Sequence, residues 1–159
     1  MKNKMLSSYF KGDLQTIEKE LAASIQAEDP LLQEASLHLL KAGGKRIRPV
    51  FVLLAAKFGD YDIQKVKKAA ASLELIHMAS LVHDDVIDNA LLRRGAPTIQ
   101  ALWDNKVAMY TGDYIFARSF ELMTDIKIPK AHQLLAHTIV EVCLGEIEQI
   151  RDKYVFTQN

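Results

Sequence analysis

Residues 63–88 run without a glycine or a proline. Neither the residue that frees the backbone nor the one that removes its amide donor interrupts them, so the stretch predicts one long helix. The rest of the chain has the same habit, with only 7 glycines and 4 prolines in 159 residues. Leu14, Ile17, Leu21 and Ile25 recur at helical spacing and predict an amphipathic helix over 6–26. Asp29-Pro30 marks a new start, and Gly43-Gly44 ends the helix expected over 31–40. Further helices are expected over 49–58, 98–105, 112–124 and 131–154, with Arg93-Arg94-Gly95 in a loop. No strand is expected; residues 50–54 are apolar enough for one but lie among helix formers. The expected fold is all-α, with residues 1–159 forming a single helical domain whose helices stack nearly antiparallel.

Hydrophobic residues make up 49% of the chain, which predicts a packed core rather than disorder. The 20 basic and 20 acidic residues cancel, which argues against a general nucleic-acid or membrane-surface binder. Cys143 is the only cysteine, so no intrachain disulfide forms, and its apolar surroundings predict a buried core thiol. No secretory leader and no apolar run of membrane-spanning length is visible, so the expected location is the cytoplasm.

Charge is concentrated in three places. The first is His83-Asp84-Asp85-Val86-Ile87-Asp88, where Asp84 and Asp88 fall one turn apart on one helix face and Asp85 is rotated off it. Three carboxylates this close need a cation or basic partners, and here they sit at the carbonyl end of the helix, which does not favour acids. Oxygen donors at this spacing suit Mg²⁺, a hard ion that keeps several waters and bridges to phosphate oxygens. The second is Arg93-Arg94, two guanidiniums whose planar forks complement a diphosphate. The third is Gly43-Gly44-Lys45-Arg46-Ile47-Arg48-Pro49, which lacks the Walker spacing and reads as a phosphate-binding turn at a helix start. His77 lies two turns before Asp84 on the same face, with Ser80 near that face and Ile76 and Ala79 beside it. Two basic elements and one acidic metal site imply two anionic phosphate substrates, one of them recruited through metal.

These segments, together with Gly112-Asp113-Tyr114, resemble the trans-isoprenyl diphosphate synthases over most of the chain, from Leu31 to Tyr154. Within them the pattern is most similar to the catalytic large subunits of bacterial two-component heptaprenyl diphosphate synthases. The resemblance implies the N-terminal half of the isoprenoid synthase helical bundle. Asp84 and Asp88 match the aspartates that bind Mg²⁺ on the allylic diphosphate, with Asp85 in the same motif. Arg93 matches the arginine that grips that diphosphate. Lys45, Arg48, His77 and Arg94 match the isopentenyl diphosphate site. Glu146 and Gln149 lie near a later family motif.

The implied reaction is repeated head-to-tail condensation of isopentenyl diphosphate onto an allylic diphosphate such as farnesyl diphosphate. Positions Ile76, Ala79 and Ser80 bear on chain length: small residues at 79 and 80 imply a long product, of the heptaprenyl class. The resemblance also implies a homodimer, or a heterodimer with a small regulatory subunit. The family's second aspartate-rich motif is not found among these residues, so the 159 residues are expected to be a half-enzyme, inactive alone and with uncovered apolar helix faces.

Two other classes fit parts of the pattern. A metal phosphohydrolase could use His83-Asp84 with His38, His77, His132 and His137, but leaves the turn and Arg93-Arg94 unexplained. A non-catalytic helical interaction or regulatory fragment would suit an incomplete fold, but gives no reason for both charged sites.

Overall fold

The computed structural model describes residues 8–152, in two compact units that divide between Ile126 and Lys127. The first holds helices α1 (Lys11–Ser24), α2 (Pro30–Lys41), α3 (Ile47–Ala56) and α4 (Ile63–Ile87), strands β1 (Leu92–Arg93) and β2 (Ala96–Pro97), then α5 (Ile99–Leu102) and α6 (Asn105–Thr124). The second holds α7 (Pro129–Asp152). The chain is predominantly helical, as the scarcity of breakers predicts.

Local sequence sets the helix starts. Asp29 accepts a hydrogen bond from the Leu32 amide at 2.9 Å, with Pro30 opening α2. Asp62 accepts from Gln64 at 2.9 Å to start α4, and Asp104 from Val107 at 2.7 Å to start α6. Such caps satisfy amides that have no partner within the helix and stabilise it by about 1 kcal/mol each. Gly43, at φ +69°, takes the left-handed conformation that ends α2.

Helix α4 is the centre of the first unit and packs chiefly on α6, with α1 and α3 also against it. Ala70, Ala71, Leu75, Met78 and Ala79 of α4 share a buried cluster with Ile17 and Leu21 of α1, Leu53 of α3, and Ile115 and Leu122 of α6. Small buried side chains on both helices let α4 and α6 approach closely, and Ser72 Oγ donates to the Ser119 carbonyl at 2.9 Å across them. A second cluster of Ala35, Val82, Ile99 and Ala108 lies near the acidic end of α4.

Several expectations need correction. The loop at Arg93-Arg94-Gly95 is a β-hairpin: Leu92 pairs with Pro97 and Arg93 with Ala96. Its two turn residues both have positive φ, +54° at Arg94 and +82° at Gly95, as a type I′ connection requires. Strands of two residues carry no periodicity to read. Helix α3 begins at Ile47 rather than at Pro49, α5 ends at Leu102, and α6 begins at Asn105, so Gly112 is inside a helix rather than at its start. Cys143 is exposed, not buried: no residue of α7 is buried, and Leu134, Val140, Val142, Leu144, Ile147 and Ile150 are exposed with it. The expected helix ends at Leu6 and Tyr154 lie outside the described residues. Among the described residues, no helix is long and apolar enough to cross a membrane.

Candidate functional site

The acidic cluster does lie at the carbonyl end of α4, with Asp88 as its C-cap. Its three carboxylates have different fates. Asp85 is buried and accepts a hydrogen bond at 2.6 Å from Nε of Arg93, which the hairpin folds back onto it. Burial pushes the Asp85 carboxyl above the usual range; Arg93 opposes the rise, and Asp84 and Asp88 add to it. Asp84 is half-buried, Asp88 is exposed, and neither forms an ion pair among the described residues. The end of the helix is held from below. Gln100 Nε2 donates to the carbonyls of Asp85 and Ala90 at 2.6 and 2.8 Å, and Thr98 Oγ1 donates to Ala90 at 2.7 Å. Neither was expected at the site, although Thr98 before an apolar residue is a helix-start signal.

Hard oxygen donors without protein cations suit magnesium. No group of three or more His, Cys, Asp or Glu side chains gathers to hold a metal among the described residues. Asp84 and Asp88, which form no ion pair among the described residues, are the carboxylates there that would hold such an ion.

The basic turn divides its charges in a similar way. Arg46 caps α3 in the left-handed conformation, φ +48°. Its guanidinium binds both oxygens of Glu18 on α1, Nη2 lying 3.2 Å from Oε2, and its Nη1 donates to Oε1 of Glu74 on α4 at 3.1 Å. Burial alone would disfavour its charge, but the two carboxylates outweigh burial and raise its pKa above the ordinary value. Lys45 and Arg48 are exposed and form no ion pair among the described residues. Arg94 Nη1 donates to the Gly43 carbonyl, which joins the hairpin to the turn. A Cβ on Gly44 would lie 2.7 Å from that nitrogen, so glycine here permits the approach.

These elements converge. Lys45 and Arg48 of the turn, His77 of α4 and Arg94 of the hairpin line one cleft, together with Glu74. Arg93, Asp85, His77 and Arg94 line an adjoining one. Burial first, and then the charges of Arg48, Arg94, Arg93 and Arg46, together lower the His77 pKa from 6.5 to about 4. His77 is therefore neutral at pH 7, in a field that favours anions.

Of the chain-length positions, Ala79 is buried in the core, while Ile76 and Ser80 are half-buried, Ser80 donating to the His77 carbonyl at 2.9 Å. Among the described residues, His38 and His83 of the first unit take separate partners. His38 Nε2 lies 2.8 Å from the Pro97 carbonyl, and the His83 ring packs over Gly112, where a Cβ would lie 2.4 Å from Nε2. That nitrogen is 3.2 Å from Asp113 Oδ1 without hydrogen-bond geometry.

Residues 29–159 match the family described as Polyprenyl synthetase. The chain is 65% identical to heptaprenyl diphosphate synthase component 2 of Bacillus subtilis (strain 168) over all 159 residues, covering 46% of that protein. It is also 65% identical to the component 2 of Geobacillus stearothermophilus over 158 residues, 99% of this chain and 49% of that protein. A crystal structure of heptaprenyl diphosphate synthase from Staphylococcus aureus superimposes with a TM-score of 0.90 at 42% identity, over 94% of this chain and 48% of that one. The chain thus spans about half the length of the curated relatives it matches.

Proposed function

The chain belongs to the polyprenyl synthetase family, and on that premise we propose that it is the N-terminal half of a single-domain long-chain prenyltransferase, carrying its isopentenyl diphosphate cleft and its first magnesium site. The observation that carries this is the convergence of Lys45, Arg48, His77 and Arg94, from three separate segments, on one cleft.

In this reading Lys45, Arg48 and Arg94 hold the diphosphate of isopentenyl diphosphate, and neutral His77 contributes a hydrogen bond rather than a charge. Asp84 and Asp88 would hold Mg²⁺ for the allylic diphosphate, and Arg93 supplies a guanidinium fork beside Asp85. When bound there, the metal supplies Lewis-acid stabilisation of charge on the departing diphosphate. The allylic C–O bond breaks, leaving an allylic cation and diphosphate. The alkene, held by its own anion site, attacks the cation; a C–C bond forms and a proton passes to the released diphosphate. The residues here position and neutralise, and none acts as a nucleophile.

Farnesyl diphosphate is the proposed starter and a heptaprenyl-length chain the product, in line with small Ala79 and Ser80 and with the names of the relatives. The apolar residues exposed on α7 support a partner, a second copy or a small regulatory subunit, and the proposed location is the cytoplasm.

The test is condensation of labelled isopentenyl diphosphate with farnesyl diphosphate and Mg²⁺. The 159 residues alone are expected to give no product. A polypeptide supplying the family's second aspartate-rich motif is expected to restore long-chain turnover. Product that stops at C20, or restored turnover that survives Asp84→Ala, would overturn the proposal.

A further inference from the structure

Glu74 is the one acid among the described residues lining the cationic cleft, and the sequence gives it no motif. Its side chain is 5% exposed and that of Arg46 is 11% exposed, so the pair is withdrawn from water. Glu74 Oε1 accepts from Arg46 at 3.1 Å, while Oε2 is buried and has no hydrogen-bond partner among the described residues. A buried carboxylate oxygen without a partner is unfavourable and calls for a reason. A bare acid beside an anion site is also adverse electrostatically.

The geometry of the turn supplies the reason. Arg46 is not glycine, yet it holds φ +48°, between Lys45 and Arg48. A side-chain-bearing residue stays in that conformation only when its surroundings impose it. Here two carboxylates on two helices fix the far end of the same side chain: Glu18 on α1 and Glu74 on α4. Both anchors lie in the first compact unit, and Glu74 belongs to the same helix as His77.

We propose that Glu74, acting through Arg46 together with Glu18, is a positioning residue that sets the conformation of the turn and so presents Lys45 and Arg48 to a diphosphate. This rests on the cleft being the isopentenyl diphosphate site. Glu74 does not touch the ligand. It draws Arg46 out of the ligand's set of cations and, in doing so, locks the backbone between Lys45 and Arg48.

The direction of the effect separates this from a simple charge role. Loss of a negative charge beside an anion site should tighten binding. Loss of a positioning clamp should weaken it. The experiment is calorimetric titration of the 159-residue chain with isopentenyl diphosphate, with thermal unfolding followed in parallel, for wild type, Arg48→Ala, Glu74→Gln, Arg46→Gly and the double variant. Glycine at position 46 adopts positive φ without strain but carries no clamp. The expected result is a Kd raised about tenfold by Glu74→Gln, the scale of one charge-assisted hydrogen bond, with much less further loss when Glu74→Gln is added to Arg46→Gly.

Tighter or unchanged binding by folded Glu74→Gln, with Arg48→Ala still weakening it, would overturn the positioning role alone. Full additivity of Glu74→Gln and Arg46→Gly would overturn it too, since Glu74 would then act independently of Arg46. Unchanged binding by Arg48→Ala would instead remove the cleft as the diphosphate site, and the proposal with it.

Discussion

The acidic end of α4 and the basic turn before α3 carry opposite charge but follow the same plan. At the acidic end Asp85 is buried against Arg93, while Asp84 and Asp88 form no ion pair among the described residues. At the turn Arg46 is held by Glu18 and Glu74, while Lys45 and Arg48 form none. In each, one charged side chain is committed to holding the backbone, and its neighbours are the ones the proposed function assigns to a ligand. The difference lies in what completes them. The turn is already cationic, so on the proposed reading it meets a diphosphate directly. The acidic end repels a diphosphate unless a cation comes first. The two sites should therefore differ in their need for metal, and the hairpin, with Arg93 on one and Arg94 on the other, joins them.

The strongest way to break this comparison is at the acidic end. Asp84→Ala is expected to weaken Mg²⁺-dependent binding of farnesyl diphosphate by at least about 100-fold. Because Asp84 has no ion pair among the described residues, its melting temperature should stay near that of wild type, as thermal unfolding would show. A drop in stability that matched the loss of binding would instead place Asp84 in the framework.

A smaller effect tests the packing that carries both sites. Gly112→Ala puts a Cβ 2.4 Å from the His83 ring, and denaturant unfolding should show a loss of about 2 kcal/mol, the usual range for overpacking. His83→Ala in the same chain should recover much of it. Additive losses would mean that the ring and the glycine are not coupled.

The smallest effect sharpens the electrostatic half. His77 titrates near 4 in the folded chain, against 6.5 for an ordinary histidine. Between those values the unfolded chain binds more protons, so this group makes stability rise with pH across the window and fall on acidification. His77→Gln should flatten that part of a melting-temperature profile. Isopentenyl diphosphate, by offsetting the arginines, should raise the His77 pKa in an NMR titration; an unchanged pKa would place the ligand elsewhere.

Much of this arrangement was legible in the residues. The long unbroken stretch became α4, the Asp-Pro pair started α2, and the spacing of Asp84, Asp85 and Asp88 separated the one that turns inward from the two that do not. The hairpin was not legible, because two-residue strands have no alternation and the loop signal at Gly95 fits many turns. With it went the pairing of Arg93 with Asp85, which depends on the chain folding back. The interior place of Gly112 was hidden for a related reason: glycine reads as a helix boundary, and only the His83 ring on the neighbouring helix explains its missing side chain. Glu74 carried no signal, since an acid among apolar helix residues gives no hint of its partner 28 positions away. Cys143 was misjudged because an apolar run tells which residues could be buried, not what lies against them.

The central claim is that the two anion sites differ in their dependence on metal, and calorimetry on the 159-residue chain tests it directly. Isopentenyl diphosphate and farnesyl diphosphate are each titrated in Mg²⁺ and in a chelator. The account predicts that isopentenyl diphosphate binds equally well in both and is lost with Arg48→Ala, whereas farnesyl diphosphate binds only with Mg²⁺ and is lost with Asp84→Ala. Isopentenyl diphosphate binding that vanishes with the metal, or that ignores Arg48, would contradict it.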